Sequence, residues 1–124
     1  MTLIEVIISV MILSGVLIGL SNFTRRFQHL TNNHDALAIA SELATARIEA
    51  VKRHRPYSTV VATFDGTSET SANPSMSSYP GYTRTTSAVR TGPSSTADYV
   101  TVTVTVVHAA TSTTVRKTLV LAAF

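Results

Sequence analysis

Residues able to perform acid–base, nucleophilic or metal chemistry are few and scattered along this chain of 124 residues. It has no cysteine, and its formal net charge is +3. No pair of its acids and histidines has the spacing that would place metal ligands together on a strand or a helix turn beside a third ligand. No glycine-rich phosphate loop is present either. The sequence therefore argues against an enzyme and indicates no cofactor. The groups concerned are Glu5, Asp35, Glu42, Glu49, Asp65, Glu69, Asp98, His29, His34, His54 and His108.

Two local clusters could in principle bind something. The stretch Asp65–Glu69 has carboxylates and hydroxyls that could hold calcium, although the same composition is typical of an ordinary turn. The basic run Lys52–Arg55 could contact nucleic acid. It also stands at the expected end of a helix, where cations offset the negative end of the helix dipole. We favour the structural interpretation of both clusters, so neither a metal ion nor nucleic acid is an expected partner.

Glu5 is the one acid whose position suggests a specific role, because it lies in an otherwise apolar sequence. A carboxylate in lipid or in an apolar bundle is costly unless it finds a partner. The nearest cation is an α-amino group at Met1, and in an assembly the amine of a neighbouring chain could pair with Glu5. Such a pair would set the axial register between chains. Alternatively, Glu5 simply occupies a helix N-terminus, where anions are favoured.

Residues 6–24 carry no charge and would form a helix about 28 Å long, close to the hydrocarbon thickness of a bilayer. Arg25 and Arg26 end this run and are candidates for charges between subunits. A secretory signal peptide fits poorly, because no Lys or Arg precedes the apolar run. Gly15 and Gly19 form a Gly-x-x-x-Gly pattern. That pattern favours close helix approach or a flexible point in the helix, or the two are tolerated small residues.

The rest of the chain predicts an α+β fold, in which a long N-terminal helix carries a small antiparallel sheet on its C-terminal half. We divide it into an apolar helix over 1–28, an amphipathic continuation over 29–55 and a globular β domain over 56–124. The predicted inner face of the continuation consists of Leu30, Ala36, Leu37, Ala40, Leu43, Ala44, Ile48 and Val51. Strict Val/Thr alternation predicts a half-buried strand over 99–107. Further strands are expected over 113–121, 58–64 and 82–89, with loops over 65–80 and 91–97.

The start Met1-Thr2-Leu3-Ile4-Glu5-Val6, followed by the apolar run, resembles the mature N-terminus of type IV pilins and pseudopilins. The resemblance implies a pilin-like fold and a leader removed by a prepilin peptidase. It also implies that Met1 is the N-methylated first residue, although Phe is usual there. Glu5 stands where the family has its conserved carboxylate. By the same resemblance, the helix near Gly15 and Gly19 melts on assembly, although the proline common in that region is absent here.

The resemblance further implies a homo-oligomeric helical filament on the cell surface, built from subunits that wait in the inner membrane. Its expected partners are the peptidase/methylase and the assembly ATPase with its platform protein. Adhesion, motility, DNA uptake and secretion all remain open as roles. The alternative is a minor pilin or a type II secretion pseudopilin, since Ala36–Tyr57 resembles helices of such subunits. A monomeric membrane-anchored binding module is a further alternative.

Overall fold

The computed structural model describes residues 2–92 and 97–122, and the fold is α+β and pilin-like. One long helix is followed by short helical turns and a four-stranded antiparallel sheet, which packs against the C-terminal half of the helix. The chain forms two compact units, Met1–His34 and Asp35–Phe124. The elements are α1 (Leu3–Arg53), a 3-10 turn (Tyr57–Thr59), α2 (Val60–Phe64), β1 (Thr67–Glu69), a second 3-10 turn (Pro74–Met76), β2 (Tyr82–Thr91), β3 (Tyr99–His108) and β4 (Thr113–Ala122).

The sheet is a meander with strand order β1-β2-β3-β4. Val104 lies at its centre, paired with Thr86 on β2 and with Lys117 on β4. The predicted alternation on β3 is confirmed, because Val100, Val102, Val104 and Val106 are buried while the threonines between them stay partly exposed. A pleated strand places successive side chains on opposite faces, so one face of β3 packs on the helix and the other meets solvent.

The prediction for β4 is also confirmed, including the break in its alternating pattern at Lys117. Val115, Leu119 and Leu121 pack against the core as partly buried side chains. Lys117 lies on the same face and breaks the apolar pattern. Its Nζ donates a hydrogen bond to Thr45 Oγ1 on α1 at 2.6 Å, so the long stem covers apolar surface while the charge finds a partner.

The inner face of α1 differs from the prediction at its beginning. The sequence pattern predicts burial of Leu30 and Leu37, yet their exposed fractions are 57 % and 47 %. The buried positions are Ala36, Ala40, Leu43, Ala44, Ile48 and Val51. The three alanines are four residues apart, so they lie on one side of the helix, and this side is buried.

The predicted strand over 58–64 is wrong, because this segment forms the end of a 3-10 turn and then α2. Val60 and Phe64 are both buried, and their spacing of four residues suits one helix face as well as it suits one strand face. The predicted loop over 65–80 contains the short strand β1 and the second 3-10 turn. Within the predicted loop over 91–97, Thr91 belongs to β2, and residues 93–96 lie outside the described residues.

Candidate functional site: the exposed apolar helix

The first unit presents an apolar helix with no protein covering it. Between Leu3 and Leu30, sixteen large apolar side chains are exposed, from 43 % at Val6 to 81 % at Leu3. Of the helices in the described residues, α1 is long and apolar enough to cross a membrane, judged by length and composition. None of its most apolar window is buried within the structure. A core helix of a globular domain would be largely buried, whereas this exposed apolar segment is compatible with membrane anchoring.

Hydroxyl groups within the apolar segment are hydrogen-bonded inside the helix itself. Ser9 Oγ donates to the Glu5 carbonyl and Ser14 Oγ to the Val10 carbonyl, both at 2.7 Å. Thr24 Oγ1 donates to the Leu20 carbonyl at 2.9 Å. An unsatisfied hydroxyl costs several kcal/mol in an apolar medium, on the order of 2–7. These three residues can therefore enter lipid or a helix bundle with their hydrogen-bonding groups already satisfied.

Glu5 lies in the first turn of α1 and is exposed. The backbone N–H of Thr2 donates to its Oε2 at 3.4 Å, which is half of a capping box. This long contact leaves most of the carboxylate unsatisfied, and Glu5 forms no ion pair with any other residue that the structure describes. The expected amine at Met1 lies outside the described residues. Capping therefore accounts for part of the Glu5 environment, and the carboxylate keeps its capacity to accept a cation.

Gly15 and Gly19 lie within the continuous helix, so the structure shows no melted segment at these positions. A Cβ atom built at either glycine meets nothing within 4 Å. The two glycines are four residues apart from each other and therefore lie on the same side of the helix. The side is open and could be approached closely by another helix.

Arg25 and Arg26 are exposed and take part in no ion pair within residues 2–92 and 97–122. Close to them, the rings of Phe23 and Phe27 stack with their centroids 6.3 Å apart. The apolar run and the arginines were predicted from the sequence, whereas this aromatic pair was not singled out. The sequence feature that could have predicted this pair is the i, i+4 spacing of two aromatic residues at the end of an apolar run.

In the second unit the clustered charges serve the fold. Arg84 is only 5 % exposed, and its Nε donates to Glu69 Oε2 at 2.7 Å. Its Nη1 donates to the carbonyl of Leu43 on α1 at 3.2 Å, so this residue connects β2 to the helix. Arg47 donates to Thr86 and Thr67 through Nε and Nη2 at 3.1 and 2.9 Å. These contacts link α1 to β1 and β2.

The pKa values of Glu69 and Asp98 are both lowered by arginine partners, Arg84 and Arg47 for Glu69 and Arg90 for Asp98. Burial would raise the pKa of Glu69, but hydrogen bonds from Arg84 and Ser75, with the charges of Arg47 and Arg84, outweigh it and lower the pKa. The hydrogen bond from Arg90 lowers the pKa of the Asp98 carboxyl. Both carboxylates are thus held ionised as structural partners of arginine.

The suggested calcium segment is engaged in protein contacts. Asp65 Oδ1 accepts the backbone N–H of Ala88 at 2.9 Å, and Glu69 is bound by Arg84 and Ser75. Within the described residues, no group of three or more His, Asp or Glu side chains could hold a metal ion.

The basic run at the end of α1 borders an open cleft of about 570 Å³. Lys52 is paired with Glu49 at 2.9 Å, and His54 Nε2 lies 2.9 Å from Thr59 Oγ1. Lys52 and His54 of the basic run therefore already have polar partners within the protein, as expected for residues at the end of a helix. The cleft is lined by Lys52, His54, Arg55, Tyr57, Val60, Val120, Leu121 and Ala122.

Comparison with known proteins gives no match to a protein-family model, to a curated protein or to a solved structure. A function for this chain is therefore inferred from its α+β fold and its exposed apolar helix.

Proposed function

We propose that this chain is a structural subunit of an extracellular type IV pilus-like filament. In this proposal the subunit is held in the inner membrane by the first part of α1 and then polymerises through the same segment. The observation that carries the proposal is the exposed apolar helix of the first unit, joined in one chain to a small folded α+β unit. The start Met1–Val6, which resembles mature pilins, adds support from the sequence.

The energetics require that this helix be covered. Burying one large apolar side chain is worth about 1.5–3 kcal/mol. Sixteen such exposed side chains represent an upper bound of tens of kcal/mol, whereas a whole domain is usually stable by about 5–15 kcal/mol. A free, water-exposed helix of this kind would not persist. Lipid covers it before assembly, and sister helices cover it in the filament.

Glu5 supplies specificity where apolar burial cannot. Burial of aliphatic side chains is non-directional, so helices could slide along one another at little cost. A carboxylate in the bundle is satisfied only where a cation from a neighbour reaches it, and the amine of a neighbouring Met1 is that cation in the proposal. One axial offset between chains is then favoured over the others. Prepilin processing, which frees this amine, and an assembly ATPase with its platform complete the expected machinery.

The test uses Glu5→Gln in the native cell, with Glu42→Gln as the matched control. Glu42 is an exposed acid on the same helix, outside the apolar segment. Surface filaments are sheared, imaged by electron microscopy and analysed by mass spectrometry. We expect filaments whose main component begins at methylated Met1, a loss of about tenfold or more in filament mass for Glu5→Gln, and no change for Glu42→Gln.

Other outcomes separate the alternatives. Filaments that contain only traces of this chain would indicate a minor pilin or a pseudopilin. A monomer in the membrane whose amount and state are the same with Gln at position 5 would refute polymerisation and support an anchored binding module.

A further inference from the structure

The last part of the first unit is amphipathic, unlike the uniformly apolar segment before it. Leu20, Phe23, Phe27 and Leu30 follow at spacings of three, four and three residues and therefore form one stripe on the helix. All four are well exposed, at 57 %, 67 %, 61 % and 57 %. We call this set the apolar stripe. The remaining side of the helix carries the polar residues Asn22, Arg25, Arg26, His29 and Asn33.

The position of the arginines matches the dimensions of a bilayer. From Glu5 to Arg25 the helix advances twenty residues, or about 30 Å at 1.5 Å per residue. The hydrocarbon core of a bilayer is about 30 Å thick. When Glu5 lies at one membrane interface, Arg25 and Arg26 therefore lie at the opposite interface, at the level of the lipid phosphates.

We propose that Arg25 and Arg26 bind the phosphates of anionic phospholipids while Leu20 and Phe23, the membrane-side half of the apolar stripe, face the acyl chains. The planar guanidinium fork matches phosphate oxygens in geometry and charge. Phe23 and Phe27 belong at the boundary between acyl chains and headgroups. The two sides together fix the direction in which the helix tilts and its rotation about its own axis. This inference rests on the membrane-inserted state of the proposed function and is independent of filament formation.

Charge complementarity favours lipid over a second copy at this site. The sequence has no acidic residue between Glu5 and Asp35. A sister helix at the same depth would therefore present only its own Arg25 and Arg26, which repel those of the first chain. Anionic headgroups supply the missing negative charge at that level.

The depth of the two helix sides can be measured by spin labelling, because the full chain has no native cysteine. Single substitutions Phe23→Cys, Phe27→Cys, Asn22→Cys and His29→Cys are labelled with a nitroxide. The protein is reconstituted at high dilution in phosphatidylcholine vesicles that contain phosphatidylglycerol. The accessibility to oxygen relative to a water-soluble nickel chelate should oscillate with a period of about 3.6 residues, with maxima at the stripe. Equal ratios on both sides would overturn the proposed orientation.

The role of the arginines is tested by the double variant Arg25→Gln/Arg26→Gln. The control is Arg53→Gln/Arg116→Gln, which removes the same charge from exposed arginines of the second unit. Enrichment of spin-labelled phosphatidylglycerol over phosphatidylcholine around the helix should fall by roughly fivefold for each arginine removed at positions 25 and 26. The control should retain the enrichment.

An equal loss in both variants would show a non-local charge effect and refute the lipid site. Dipolar broadening between labels that grows with the protein-to-lipid ratio would identify a second copy as the occupant instead. Neither vesicle experiment contains assembly machinery. A failure to form filaments in cells would therefore refute the proposed function without affecting these results.

Discussion

Replacing Arg84 with methionine should destabilise the second unit more than any surface change of equal charge. The side chain of Arg84 is 5 % exposed and that of Glu69 is 14 % exposed, and Arg84 Nη2 lies 2.7 Å from Glu69 Oε2. In the variant, the nearest remaining cation to this carboxylate is Arg47, whose Nη1 is 3.6 Å from Oε1. The carbonyl of Leu43 also loses the Arg84 donor.

The expected magnitude follows from two general values. Removing one partner of a buried ion pair costs about 3–5 kcal/mol, because the other charge is left without compensation. Arg47 and Ser75 keep part of their contact with Glu69, so we expect about 3 kcal/mol, the lower end of that range. This is a large fraction of the about 5–15 kcal/mol by which a domain is normally stable. The free energy of unfolding of the second unit should therefore fall markedly.

The assay is urea unfolding of the full chain in detergent micelles, followed by hydrogen exchange of the sheet amides. Arg116→Met is the matched control, since Arg116 is an exposed arginine on β4. The double variant Arg84→Met/Glu69→Leu removes both charges and should recover part of the lost stability. A loss below about 1 kcal/mol for Arg84→Met, the size seen for exposed pairs, would refute the claim that this contact stabilises the unit as a buried pair.

Two further outcomes follow from the second unit. The pKa of Glu69 is lowered on folding, so the ionised carboxylate stabilises the folded second unit. This stabilisation is fully present above the unfolded pKa of about 4.3 and is lost as the pH falls through the folded pKa. Urea unfolding between about pH 6 and pH 3 should therefore show a steeper loss for the wild type than for Glu69→Gln, and parallel curves would contradict this. Gly81→Ala should destabilise by about 1–3 kcal/mol and more than Gly66→Ala. Both glycines have positive φ, at 84° for Gly81 and 68° for Gly66. A Cβ atom at Gly81 would lie 3.2 Å from His108 Nε2, whereas one at Gly66 would meet nothing within 4 Å. Equal losses of stability in urea unfolding would exclude the His108 contact as the cause.

Much of the fold was predictable because its patterns have a single interpretation. The alternation over 99–107 can place four valines on one face only in an extended strand, and this strand is observed. The apolar run over 6–24 is equally direct, since its length and its lack of charge predict a helix without reference to other residues. The places of Gly15, Gly19, Arg25 and Arg26 along this helix follow from their sequence positions alone.

The misassigned segments are those whose pattern has two interpretations. Val60 and Phe64 fit a strand with alternate burial and also a helix with spacing of four residues. The choice of helix is made by packing, since α2 buries both side chains in the core of the second unit. Leu37 similarly fits the predicted helix face, but the sheet meets α1 around the alanines and leaves Leu37 at 47 % exposure.

The amino-acid sequence alone determined that residues 6–24 form an uncharged helical segment of bilayer length, with Glu5 just before it and Arg25 and Arg26 just after it. These properties depend on composition and on the constant rise of a helix, so neighbouring elements do not alter them. Only the tertiary structure decided the role of the charges in the second unit. Arg47, Glu69 and Arg84 are far apart in the sequence, and their spacing predicts no contact. The packing of α1 on β1 and β2 brings them together, because a buried charge must find its partner wherever the fold places one.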